Sequence, residues 1–292
     1  MVFLKDIRSK IISFKKTKKI TKVMEMISAS KLKKLQKVLL SIKPYKNKIS
    51  EIICHLLSGN LEYNHEYICD RNLNSVGYFV FLTSRGLVGS LNINLINKLI
   101  CDIKKWRDKN INVELMLFGK KFNSSFEELN GVNIIPIEFK ININNIMFSE
   151  LIGPIRIMLS KYDENVLSRI YIVYNKFINV VSQIPNIKKI LPLSKDNRKI
   201  NRKNSSYFLD YLYEPEPKIL LDILIRRYIE TNIYYSMVES LVSEQAARMI
   251  TMKSATENGD NLINELELIY NKFRQNSITK EIFEVVIGSS FI

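Results

Sequence analysis

Helix-breaking residues are confined to the middle of this chain. All seven prolines lie between Pro44 and Pro217, and all but two of the nine glycines lie between Gly59 and Gly153. Residues 1–43 hold neither type, and residues 218–292 hold only Gly259 and Gly288. Pro costs about 3 kcal/mol and Gly about 1 kcal/mol inside a helix. One long helix can therefore form at each terminus, around a turn-rich centre. At about 1.5 Å per residue, helices over 3–57 and 218–286 would run roughly 80 Å and 100 Å. Both exceed a compact domain, so they must pack on each other, on a partner, or on both.

The apolar spacing supports this. In the N-terminal segment Ile7, Ile11 and Phe14 start a stripe that resumes at Ile20, Met24 and Ile27, then at Leu32, Leu35, Leu39 and Ile42. Ser28, Ala29 and Ser30 permit close approach of another backbone, and Pro44 predicts a kink. In the C-terminal segment Leu262, Leu266, Ile269 and Phe273 step by four, three and four, a coiled-coil spacing. Leu221, Leu224, Tyr228, Met237 and Leu241 suggest an earlier seam. The expected domains are a helix over 1–58, an α/β domain over 59–214 and a helix over 215–292.

In the centre, strands are expected at 76–83, 112–118, 132–137 and 169–174, the last followed by the apolar stretch 177–184. Helices are expected after Ser90 as N-cap, over 119–129 and over 146–161. Such alternation predicts a doubly wound, mainly parallel sheet. The fold class is α/β, with a long antiparallel coiled coil of the terminal helices. Residues 194–206 read as a basic polar loop.

The net charge is +15. Within residues 1–50, fourteen lysines and Arg8 stand against Asp6 and Glu25, a net of +13. Residues 218–292 hold eight basic and ten acidic residues, a net of −2. Such asymmetry concerns partners more than fold. No apolar run reaches the roughly 18 residues of a membrane span. Lys5 and Asp6 interrupt the start, so no signal peptide is expected, and three separated cysteines fit a reducing compartment. These features predict a soluble intracellular chain.

Candidate chemistry is sparse. Gly86-Leu87-Val88-Gly89 follows a strand and precedes a helix, where phosphate-cradling turns occur. No G-x-G-x-x-G or G-x-x-x-x-G-K-[ST] accompanies it, so it reads as a tight turn. His55 and His65 are the only histidines, and His55 reads as a packed or solvated side chain. No metal set, nucleophile or cofactor site is expected. The basic N-terminal helix could neutralise phosphates, or lie on an anionic membrane. Phe3, Phe14 and Tyr45 are its only aromatics and Arg8 its only arginine, so a solvated helix, or one facing an acidic partner, is the favoured reading. A basic nucleic-acid-binding α/β protein is the alternative.

Residues 20–31, Ile-Thr-Lys-Val-Met-Glu-Met-Ile-Ser-Ala-Ser-Lys, with Ile7, Arg8 and Thr17, resemble the N-terminal motif of the gamma subunit of the F-type rotary ATP synthase. Glu244–Met249, Met252–Asn258 and Tyr270–Ile282 are similar to its C-terminal signature. Arg85–Leu87, Leu91–Asn94, Tyr171–Val173, Asn175–Phe177 and Tyr211–Pro215 agree in the centre. The chain departs where the family usually shows Asp, Cys and Gly, at Ser84, Val88 and Ser90, and where it usually shows Ala, at Val23 and Thr251.

The resemblance, of bacterial type, implies a rotor shaft. Its coil would turn inside a ring of alternating alpha and beta subunits. The α/β domain would sit outside the ring beside epsilon and the c-ring, with delta also in the complex. Each beta subunit would meet a different face of the shaft and be biased to a different conformation. The chain would do no bond chemistry, bind no cofactor and no nucleic acid, and meet the membrane only through the complex, on the cytoplasmic side of the cell inner membrane. Lys22, Met24, Arg248, Gln275, Thr279 and Glu281 would form the coupling contact with beta. A basic face at Lys16–Lys22 would meet an acidic segment of beta, and the apolar tail 282–292 would turn in a hydrophobic sleeve.

Overall fold

The computed structural model describes residues 2–58, 65–119, 131–135, 148–193, 214 and 217–290. In chain order its elements are α1 (Val2–Ser58), β1 (Ser75–Phe81), α2 (Leu91–Arg107), β2 (Asn112–Phe118), β3 (Val132–Ile135), α3 (Ser149–Asp163), β4 (Arg169–Phe177), β5 (Gln183–Leu191) and α4 (Pro217–Ser290). The expected helix at 119–129, the end of the strand at 132–137 and the basic loop at 194–206 lie outside the described residues. The chain divides into two compact units, one of Met1–Lys31 with Arg248–Ile292 and one of Leu32–Ala247.

The larger unit holds a five-stranded sheet in the order β3-β2-β1-β4-β5. The first four strands are parallel. Tyr78 of β1 stands beside Leu115 of β2 and Tyr171 of β4. β1 is buried along its whole length, as a strand covered on both faces must be. Successive side chains alternate between faces. Val76, Tyr78 and Val80 pack with Leu95, Leu99 and Ile103 of α2. Gly77 points the other way, and a Cβ there would lie 2.6 Å from Met158 Cε of α3. Helices thus cover opposite faces of a mainly parallel sheet, as expected.

The fifth strand is a correction. β5 pairs antiparallel with β4, placing Tyr174 beside Asn186. The stretch 177–184 is not one element. β4 ends at Phe177, and the Asn179 side-chain carbonyl then accepts from the backbone N–H of Val181 at 3.0 Å and of Ser182 at 2.6 Å. This Asx turn closes a hairpin. Pro185 and two lysines hide β5 in the sequence, and an edge strand tolerates both.

One further expectation changes. Ser90 precedes α2 but makes no side-chain cap; its hydroxyl instead accepts from Asn94 Nδ2 at 3.3 Å. α1 continues through Pro44 to Ser58, and Pro154 lies inside α3.

Also in this unit, α1 buries Leu32, Leu35, Ile49, Ile53 and Leu56. These fall on alternating steps of three and four, with Leu39, Ile42 and Lys46 between them. On α4 every residue from Ser236 to Ala247 is buried. A helix buried all round lies inside a core rather than upon it.

In the smaller unit α1 and α4 run antiparallel. Lys15 Nζ meets Glu267 Oε1 at 2.6 Å, Lys18 pairs with Asp260, and Thr21 Oγ1 lies 2.8 Å from Thr256 Oγ1. The buried seam consists of Ile7, Ile11 and Ser28 from α1 and Met252, Thr256 and Ile263 from α4. Ile7 and Ile11 are buried as expected, and the correction to each stripe lies at residues 20–27 and 262–273. Ile20 and Ile27 are exposed, as are Leu262, Ile269 and Phe273. Between residues 18 and 28 the α1 side of the seam is polar at Thr21 and Ser28, Met252 is buried on the α4 side, and Ile20, Val23, Met26 and Ile27 face outward.

Candidate functional site

The coil of the smaller unit carries all six residues of the expected coupling contact. Between Lys18 and Ser28 its seam is held by polar groups. Thr21 Oγ1 can donate to its own helix at Lys18 O, 3.0 Å away, and Thr256 Oγ1 to Met252 O at 2.8 Å. Each hydroxyl has one proton, so the contact between them and one of these backbone bonds exclude each other. Gly259 leaves room opposite, since a Cβ there would come no nearer than 3.9 Å to Lys18 Cβ. With polar groups inside, Ile20, Val23, Met26 and Ile27 lie outside, Met26 at 64% exposure.

Met24 sits on the boundary, half-buried. The Thr21–Thr256 level, one turn away, places it opposite the Met252–Lys253 turn of α4. Lys22 Nζ pairs with Glu25 Oε2 at 3.1 Å on the same turn. Arg248 is buried at 6% exposure, with its level about 7 Å along α4 from that of Met24. Lys22, Met24 and Arg248 thus form one zone. Gln275, Thr279 and Glu281 form another, about 40 Å further along α4 from Arg248. They are exposed, and Thr279 Oγ1 donates to Gln275 O at 2.9 Å. The structure does not gather the six residues at one level. Beyond them, every residue from Lys280 to Ile287 is exposed, with Phe283 at 62% and Val285 at 71%.

In the larger unit the turn 84–90 was the one phosphate-binding candidate. Leu87 and Gly89 take positive φ, 65° and 61°. Val88 and Leu91 pack against Ala247 of α4. The Asn92 side chain ties Thr83, donating to its hydroxyl at 2.6 Å and accepting from its backbone N–H at 3.3 Å. The strand order reverses between β1 and β4, and a sheet of this type holds ligands at the carboxyl ends of the strands at that point. Here α4 occupies it. Ser240 Oγ donates to Phe81 O at 3.4 Å, and Ser243 Oγ to Asn175 O at 2.9 Å. The turn thus packs against α4 through Val88 and Leu91.

His65, held 3.1 Å from Asp222, has its pKa lowered mainly by burial, with Asp222 opposing. The His55 side chain lies outside the described residues. No group of three His, Cys, Asp or Glu side chains able to hold a metal occurs among the described residues, and none of their helices is long and apolar enough to cross a membrane.

Two long terminal helices and a five-stranded, mainly parallel sheet define an α/β protein with helical ends. A family model described as ATP synthase matches residues 3–291. Three cryo-EM structures share the fold. The rotor of Euglena gracilis mitochondrial ATP synthase in rotational state 1 is 18% identical, with a TM-score of 0.59, covering 94% of this chain and 99% of that one. A chain of the OSCP/F1/c-ring structure of the same enzyme in rotational state 3 is 17% identical, TM-score 0.58, covering 97% and 92%. A central stalk/c-ring chain of Tetrahymena thermophila mitochondrial ATP synthase is 20% identical, TM-score 0.51, covering 81% and 99%. The chain belongs to the gamma-subunit family of ATP synthase, and its place in that enzyme is the central rotor shaft.

Proposed function

We propose that the chain transmits rotation without carrying out bond chemistry. The carrying observation is the coil of the smaller unit, where α1 places Thr21 and Ser28 at the seam and turns Ile20, Val23, Met26 and Ile27 outward. A closed two-helix coil buries its apolar residues; one that turns them outward is built against another surface. That surface belongs to the beta subunits, met at Lys22, Met24 and Arg248 and again at Gln275, Thr279 and Glu281. Each beta subunit meets a different face and settles in a different conformation, so rotation driven by proton flow cycles their states.

The occupied crevice at the ends of β1 and β4 supports the absence of a catalytic site. The remaining partners are alpha, delta, epsilon and the c-ring. The chain is peripheral, held by the complex on the cytoplasmic side of a cell inner membrane. Residues 1–58 and 215–292 serve as shaft helices, and 59–214 as the head. The family match gives the nucleic-acid reading no support.

The test is reconstitution with alpha and beta subunits. ATPase activity of the complex should depend on this chain, and the isolated chain should hydrolyse nothing. Stable complexes whose activity is the same with and without it would overturn the proposal.

A further inference from the structure

Position 46 of α1 falls on the same three-and-four steps as Ile42 and Ile49, yet it is a lysine. Its Nζ lies 3.5 Å from the centre of the Tyr235 ring of α4. One turn along α4, Glu239 is 4% exposed and accepts a hydrogen bond from the Phe177 backbone at the end of β4. From β5, Lys188 Nζ donates to Asn232 Oδ1 at 2.8 Å; Asn232 is itself buried and donates to Tyr228 O at 2.8 Å. Lys176 of β4 and Lys43 of α1 add two more ammonium groups within electrostatic reach of Lys46. Tyr174 of β4, whose hydroxyl accepts from Asn186 Nδ2 at 3.1 Å, lies beside Glu239.

Lys46, Lys176 and Lys188 therefore lie within electrostatic reach of one carboxylate, where α1, α4 and the β4–β5 hairpin meet, and Lys43 reaches Lys46. A buried pair of opposite charges can compensate for lost hydration, but unmatched like charges cannot. Lys46 is held down to about 8, first by burial and next by Lys188. Burial likewise lowers the pKa of Lys188 and raises that of Glu239.

We propose that this cluster is an overcharged latch fastening the β4–β5 hairpin to α1 and α4, and that it tightens when one positive charge is withdrawn. The direction with pH follows from linkage. The folded state disfavours the charged Lys46, so that amine loses its proton in the folded chain before it does in the unfolded one. Stability is lowest while both forms are protonated and rises as the pH climbs from about 8 towards the unfolded value. Glu239 runs the other way, favouring the proton when folded, so its contribution falls as the pH leaves the ordinary carboxylate range.

Hydrogen exchange of the full-length chain, read on peptides from residues 171–191 and corrected for the intrinsic rate, tests this. Protection should rise about tenfold between pH 7 and pH 9. Lys46→Met should show the raised protection already at pH 7 and only a small further rise, the one left by Lys188. Lys176→Met removes an exposed member of the cluster and should also raise protection at pH 7, covering the case in which Lys46→Met misfolds. If Lys46→Met keeps the full pH response, or if both lysine variants lose protection at pH 7, the latch is wrong.

Discussion

Met24 concentrates the argument about coupling at the scale of one residue. Its thioether lies at the edge of the seam, next to the Lys22–Glu25 pair and opposite a turn that carries Lys253. Met is unbranched and polarizable, and moves past a surface without strong bonds. Met24→Lys would add a cation able to pair with a beta carboxylate, and a partly buried charge-assisted bond is worth about 1.5–3 kcal/mol. That would hold one rotary position below the others. The expected complex assembles and hydrolyses ATP while pumping protons poorly. Parallel assays of hydrolysis and pumping in membrane vesicles check this, and equal coupling in mutant and wild type would remove Met24 from the contact zone. Because Gln275 stands about 40 Å from Arg248 along α4, a compensating change at Arg248 is the local one, and any rescue at Gln275 acts at a distance.

The Thr21–Thr256 contact supplies a second test. Either single change to Val leaves the opposite hydroxyl its own backbone acceptor, so the loss should be about 1 kcal/mol. The double change should cost less than the two singles together, since the pair is then apolar on both sides. Urea unfolding of the four chains measures the cycle.

For single elements, legibility depended on where burial came from. β2 and α2 were legible because each pairs a continuous apolar pattern with one local environment. β5 was not, since Pro185, Lys188 and Lys189 acquire meaning only from the neighbouring strand and from α4. The terminal helices were legible as helices, from the absence of breakers, and their faces were legible at Ile7, Ile11, Leu32 and Leu35 but not at residues 20–27 or 262–273. The apolar periodicity at Ile20, Met24 and Ile27 was real, yet it marks an outward surface, while Lys18, Thr21 and Ser28 take the inside. Hydrophobicity alone does not distinguish an apolar face turned to a sister helix from one turned to another chain.

The packing of β1 on α3 carries its own expectation. Gly77→Ala would bring a methyl to 2.6 Å from Met158 Cε and 3.1 Å from Leu167 Cδ1. The methionine end can swing, the leucine less so, and overpacking of this kind costs roughly 1–3 kcal/mol. Thermal unfolding should show the loss, and adding Met158→Ala should recover part of it. Full stability in the single variant would mean that α3 sits further from β1 than described.

For the whole molecule, the candidate site was legible in part. The motifs at both ends and the weakness of the Gly86–Gly89 turn could be read from residues alone. The packing of α4 beside that turn could not, because the helix comes from more than 150 residues away in the chain. The isolated chain should accordingly show no tight ATP binding by calorimetry. Micromolar affinity abolished by a change at Gly86 or Gly89 would contradict the occupied crevice. The exposed apolar side chains of the smaller unit also predict self-association of the isolated chain. Sedimentation should show species larger than the monomer at micromolar concentration, and a clean monomer there would weaken the case for a surface built to meet a ring.

The seating of Ser240 on the carbonyl that ends β1, and of Ser243 on a carbonyl two residues before the end of β4, has a mechanical consequence. A pull along either strand arrives end-on at α4 through a short hydrogen-bonded joint rather than through a flexible tether. The sheet therefore works as an anchorage for the helix, and a load applied to one is carried directly by the other.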